Sequence, residues 1–139
     1  MATTTAQITL TSTDIADNAL SISNTMTLTT AGTETGLTET TGLARKKIAS
    51  SSLADLITVA NTDVTAAKSA KVYIKNTSTA TDKYGLVGIG DSSGTPIYIG
   101  RLYGGDWMLI PWDANSGEDI TMTMSDTTAT IIEYMVFFE

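Results

Sequence analysis

The chain contains no histidine and no cysteine. Those two absences remove the commonest general base, the commonest metal ligand and the best nucleophile together, which tilts the chain away from enzymes. With no cysteine there is no disulfide to staple the fold, a condition that suits assembly in a reducing cytosol. Cations are also scarce. Eight Lys and Arg stand against fifteen Asp and Glu, for a net charge of −7. A surface of that sign repels polyphosphate, so neither nucleic acid nor an anionic membrane is expected as a partner. No apolar run approaches the roughly 20 residues of a membrane helix. The opening residues MATTTAQITL lack the basic segment and apolar core of a secretory signal. The expectation is a soluble protein that starts in the compartment where it is made, and that leaves it only as part of something larger.

What is present is threonine, 27 of 139 residues. Much of it alternates with Ile, Leu or Met. That is how a half-buried β-strand is written, because successive side chains point to opposite faces and Thr suits the solvated one. A chain of this length sits at the usual single-domain size and buries roughly two thirds of its unfolded surface, enough for one core.

Texture changes along the chain. Residues 1–41 are nearly all small and polar with isolated apolar residues, in short alternating runs such as Ile8-Thr9-Leu10 and Ile22, Met26, Leu28, with a loop expected at Gly32 and Gly36. This segment is either a set of surface strands or an arm that orders against a neighbouring subunit. Residues 42–139 carry the better specified pattern. Six runs, Val72–Ile74, Tyr84–Ile89, Ile97–Ile99, Met108–Ile110, Ile120–Met124 and Ile131–Phe138, are separated by turn signals. The first two are expected to form a hairpin across the polar Asn76–Thr81. Ser52–Val59 is the one place where a short helix is allowed, although Ile57, Thr58 and Val59 favour strand. The last run is apolar on both faces, so it belongs in the middle of a sheet or under another subunit. With about four strands from the first half, the fold class is an all-β, two-sheet antiparallel sandwich of about 8–10 strands, jelly-roll or Greek-key in type, most simply one compact domain.

Candidate sites are sparse. Glu118 and Asp119 are sequence neighbours, which a strand points to opposite faces, so they make a poor acid–base pair. Serine nucleophiles have no histidine to activate them and no Ser-x-x-Lys context. No catalytic residue and no cofactor is expected. Asp113 and Asn115, in Asp113-Ala114-Asn115-Ser116-Gly117, place oxygen ligands at alternate positions, but Met124 stands where an EF-hand loop needs its bidentate Glu. A structural turn is preferred there over a calcium site. Arg45, Lys46 and Lys47 form the one basic cluster, either a solvated strand face or a dock for an acidic partner. Tyr98, Tyr103, Trp107 and Trp112 surround Gly104-Gly105-Asp106; core or subunit contact is preferred there over a sugar site.

Six stretches together carry a resemblance. They are Val72-Tyr73-Ile74-Lys75-Asn76-Thr77, Val87-Gly88-Ile89-Gly90-Asp91, Ile99-Gly100-Arg101-Leu102, Gly104-Gly105-Asp106-Trp107, Leu109-Ile110-Pro111-Trp112 and Glu133-Tyr134-Met135-Val136-Phe137-Phe138-Glu139. Their cadence resembles small virion structural proteins of tailed bacteriophages, cyanophages especially, over Lys71 to Glu139. The resemblance implies a particle component made in the host cytoplasm and carried on the capsid surface. Among such components a decoration or cement protein, clamping neighbouring major capsid subunits from outside the head, fits the size best. Its implied partners are the major capsid protein and copies of itself, most simply as a homotrimer. Arg45 to Lys47, Trp107 and Trp112 are then candidate contacts. A tail, neck or fibre protein and a surface carbohydrate-binding module are the alternatives.

Overall fold

The computed structural model describes residues 4–13, 20–29, 37, 39–49, 52–62 and 70–139. The loop expected at Gly32 and Gly36 lies outside them. Contacts divide the chain into two units, Met1–Glu39 and Thr40–Glu139.

The first unit contains an antiparallel ribbon of β1 (Thr4–Ser12) and β2 (Leu20–Thr29). Ala6 stands opposite Met26, Ile8 opposite Asn24 and Leu10 opposite Ile22. Opposed residues share a face. One face therefore gathers Ala6, Ile8, Leu10, Ile22 and Met26, and the other carries only Thr, Ser and Gln. On the polar face the Gln7 amide donates to the Ser23 hydroxyl at 3.2 Å.

The remaining strands are β3 (Glu39–Thr40) at the junction, β4 (Ala44–Ile48), β5 (Ala54–Ile57), β6 (Ala70–Asn76), β7 (Tyr84–Ile89), β8 (Ile97–Tyr103), β9 (Trp107–Trp112), β10 (Ile120–Met124) and β11 (Thr130–Phe138). They form an all-β antiparallel sandwich. One sheet has the order β5-β10-β7-β8; the other runs β3-β11-β6-β9, with β4 also paired to β11. All six runs expected in the second half are strands. β11 lies inside its sheet between β6 and β4; its inward Ile132 and Val136 are fully buried, while Ile131 on the outward face is 48% exposed.

Alternation fills the core. Val72 and Ile74 of β6 and Ile132 and Val136 of β11 point inward from one sheet, and Val87 of β7 with Ile120 and Met122 of β10 from the other; all are fully buried. Each such aliphatic side chain contributes about 1.5–3 kcal/mol by leaving water.

The expected β6–β7 hairpin does not form. β6 pairs with β9 and β11, whereas β7 pairs with β8 and β10 in the opposite sheet. Turn chemistry after Asn76 instead makes a corner between sheets, and buried Asn76 fastens it. Its side-chain amide donates to the Leu102 carbonyl at 3.0 Å, its side-chain oxygen accepts from the Ser78 N–H at 3.0 Å, and its backbone exchanges bonds with Gly105 and Asp106. The β8–β9 connection is a second corner locked against the first. A Cβ on Gly104 would lie 2.4 Å from the Ala80 carbonyl oxygen, so only glycine lets the two loops meet.

The helix allowed over Ser52–Val59 is also absent. β5 occupies Ala54–Ile57, where Ile57 and Asp55 pair with Ile120 and Thr121 of β10. Only a single 3₁₀ turn follows, at Val59–Asn61, and the Asp119 carboxylate accepts the Val59 N–H at 2.8 Å. The β-branched residues win because β10 supplies a ladder that a helix could not use.

Candidate functional site

The outward face of the β3-β11-β6-β9 sheet concentrates the chain's cations. Lys71, Tyr73 and Lys75 alternate with the buried Val72 and Ile74 of β6, so all three face away from the core. Register then lays out rows across the sheet. Arg45 of β4 stands beside Glu133 of β11, Glu133 beside Lys75 of β6, and Lys75 beside Trp107 of β9. In the next row Met135, Tyr73 and Leu109 are side by side, and Lys47 flanks Ile131 at the other end. Among the described residues of β4, β11, β6 and β9, four cations therefore share this face with one carboxylate, on a chain whose net charge is −7.

Arg45 holds that carboxylate. Its Nε and a terminal guanidinium nitrogen both donate to Glu133 Oε2, at 3.0 and 2.9 Å. Arg45 is exposed, so the pair adds little stability; its effect is to neutralise the Glu133 carboxylate. Trp107 is 51% exposed, with its ring centroid 6.4 Å from that of Tyr73. Partial burial and the nearby Glu133 carboxylate push the Tyr73 phenol above its ordinary pKa, so it stays a neutral donor at physiological pH. The result is a cationic sheet face with an aromatic pair at one edge, suited to an acidic surface that also offers something flat to cover.

No family model, curated protein or solved structure matches this chain.

The structure separates residues that the sequence grouped. Arg45 and Lys47 face outward, but Lys46 points the other way, opposite Ile132, and its Nζ donates to the Asp55 carbonyl at 2.6 Å. It stitches β4 to β5 across the sandwich edge. Next to it a cleft of about 280 Å³ is lined by Lys46, Leu56, Thr58, Asn61 and Tyr134 among others. The buried Thr58 hydroxyl has no hydrogen-bond partner among the described residues.

Trp107 and Trp112 also part company. Trp112 is 4% exposed, and its indole N–H donates to the Glu118 carbonyl at 2.7 Å. As a partner contact it is corrected to a core residue, because it is five positions along the same strand from the outward Trp107 and so faces the other way. Tyr98 and Tyr103 belong to β8 in the opposite sheet, where Tyr103 packs on Tyr84 at 5.3 Å and Arg101 lies 4.5 Å above the Tyr84 ring.

Asp113 and Asn115 sit at the turn before β10, which is closed by the Glu118 N–H donating to the Asn115 carbonyl at 2.9 Å. Gly117 supplies the left-handed residue of that turn at φ +85°. Among the described residues no group of three or more His, Cys, Asp or Glu is placed to hold a metal ion. Of the face just described, sequence reasoning singled out Arg45, Lys47 and Trp107 and missed Lys71, Tyr73, Lys75 and Leu109. The missing signal was in plain view: K-V-Y-I-K is a strict alternation of two unlike faces.

Proposed function

We propose that this chain is a structural protein of a tailed-bacteriophage particle, a decoration or cement protein that binds the outside of the head and braces neighbouring major capsid subunits. The cationic, aromatic-edged sheet face carries the docking half of this reading. On a chain this acidic, most surfaces repel an acidic shell, and this one attracts it. Trp107 is the anchor, and Lys47, Lys71 and Lys75 select the partner by charge. The resemblance over Lys71 to Glu139 supports the particle context. The strand order supports the jelly-roll form of the sandwich: β4-β11-β6-β9 faces β5-β10-β7-β8, and every connection from β4 to β11 except β7–β8 crosses between sheets. Copies held together, most simply as trimers at three-fold sites, turn weak single contacts into stable occupancy by effective concentration. No bond need be made or broken.

Binding to purified capsid shells tests the face. The double variant Lys71→Glu, Lys75→Glu is expected to lose at least about tenfold in affinity, roughly 1.4 kcal/mol, and most of its salt dependence. Undiminished binding by the folded double variant would overturn the docking surface. Removing residues 1–38 is expected to lower shell occupancy while leaving the sandwich folded. The cut stops there because the Thr41 hydroxyl accepts the Val136 N–H at 3.0 Å and the Thr41 N–H donates back to the Val136 carbonyl. Copy number separates sites on the particle: hundreds per virion mean the head, a few to a few dozen mean the tail, neck or fibre.

The exposed Trp107 beside Tyr73 favours one second reading, a surface carbohydrate-binding module. Glycan binding abolished by Trp107→Ala, with shell binding intact, would establish it.

A further inference from the structure

The cation that the outward sheet face excludes has a place of its own. Lys46 lies on the inward side of β4, and its Nζ donates to the Asp55 carbonyl at 2.6 Å, which fixes the ammonium at the edge of the sandwich between the two sheets. One of its three N–H groups is used there, and two remain. Beside it opens the cleft of about 280 Å³, close to the smallest ligand pockets at about 300 Å³. Leu56 and Val136, both buried, give it apolar wall, while Thr58, Asn61 and Tyr134 bring two hydroxyls and an amide.

The charge of this lining is one-sided. Among the described residues Lys46 is the one ionised group that lines the cleft, on a chain whose net charge is −7. Acids on the adjoining segments are engaged with backbone: Asp55 accepts the Ser92 N–H at 3.0 Å, and Asp119 accepts the Val59 N–H at 2.8 Å. The second of these bonds also pins the 3₁₀ turn that carries Asn61. Thr58 adds an independent sign. Its hydroxyl is buried without a partner among the described residues, a costly state for a group that has lost its water.

We propose that this cleft binds a single carboxylate on a short apolar stem, the carboxylate between the Lys46 ammonium and the Thr58 hydroxyl and the stem against Leu56 and Val136. A multiply charged anion such as phosphate would meet more repulsion from the rest of this acidic chain and would leave the apolar wall uncovered. One negative charge suits one ammonium. The same chemistry comes from a free small carboxylic acid or from an Asp or Glu side chain that a protein presents. The site stands whether or not the particle assignment does.

Butanoate added to the full chain at constant ionic strength, with backbone amides followed by nuclear magnetic resonance, is expected to give saturable shifts at Lys46, Thr58 and Asn61. Butanol and butylammonium, which carry the same stem, should not. Lys46→Met keeps a long side chain and loses the charge, so it should weaken butanoate at least about tenfold. Lys47→Met, the same loss of charge on the outward side of the strand, should leave butanoate binding unchanged. Thr58→Val should weaken binding and raise the melting temperature of the free protein, because it removes an unpaired hydroxyl and keeps the shape. No saturable binding of butanoate, equal binding of butanol, or an affinity indifferent to both Lys46→Met and Thr58→Val would overturn the proposal. N-acetylglutamate α-amide separates the sources: binding as tight as that of butanoate supports a side chain presented by a protein, and no binding beside saturable butanoate supports a free acid.

Discussion

The sandwich and the ribbon are written in the same alphabet of Thr and aliphatic residues, yet one closes its apolar face and the other leaves it open. In the sandwich two sheets bury each other, so Val72, Ile74, Ile120 and Ile132 lose all contact with water. In the ribbon the equivalent positions, Ile8, Leu10 and Ile22, stay nearly half exposed. The difference lies in strand count and connection. The sandwich crosses from sheet to sheet at buried, hydrogen-bonded corners, and the ribbon has two strands and one apolar side. A similar local pattern gives a core in one place and an exposed apolar face in the other.

Truncation of one side chain in each unit sharpens this contrast most. Ile132→Ala is expected to cost about 2–4 kcal/mol, since it opens a cavity among fully buried neighbours. Ile8→Ala in the monomer should change stability by less than about 0.5 kcal/mol. Urea unfolding followed by tryptophan fluorescence measures both, because both tryptophans lie in the sandwich. Equal losses would dissolve the distinction.

Two asparagines make the next comparison. Asn76→Ala strips partners from the Leu102 carbonyl and the Ser78 N–H and should cost about 1–3 kcal/mol. Asn24→Ala, in dilute monomer, should cost nothing measurable.

The smallest effect is electrostatic. A hydrogen bond from Lys83 holds the Asp126 carboxyl down at about 2 and raises the Lys83 ammonium above its ordinary value. A depressed carboxyl stabilises the fold above its unfolded pKa and stops doing so as pH falls through the folded one. The melting-temperature gap between wild type and Asp126→Asn is therefore expected to be constant above about pH 4 and to close toward pH 2. The Lys83 contribution persists through neutral pH and fades only above the ordinary lysine range.

Much of this was legible before folding. Alternation located β1, β2 and all six later strands, because the two faces of a strand demand different side chains. Of the two places expected for Ile131–Phe138, inside a sheet or under another subunit, the first is where β11 lies, between β6 and β4. The hairpin expected after Asn76 failed because polar, turn-forming residues say that the chain bends and not which sheet it bends toward. The grouping of Trp107 with Trp112, and of Lys46 with its neighbours, failed where parity was available and proximity was weighed instead.

The sequence by itself determined that this protein is β-structured, acidic and without histidine or cysteine, because those properties are sums over residues or follow from period-two alternation. Only the tertiary structure decided that four cations and an exposed tryptophan share one face, that Trp112 belongs to the core, and that Ile8, Leu10, Ile22 and Met26 of the ribbon stay exposed. Those are relations between strands distant in the chain, set by register and by the corners that carry each strand to its sheet.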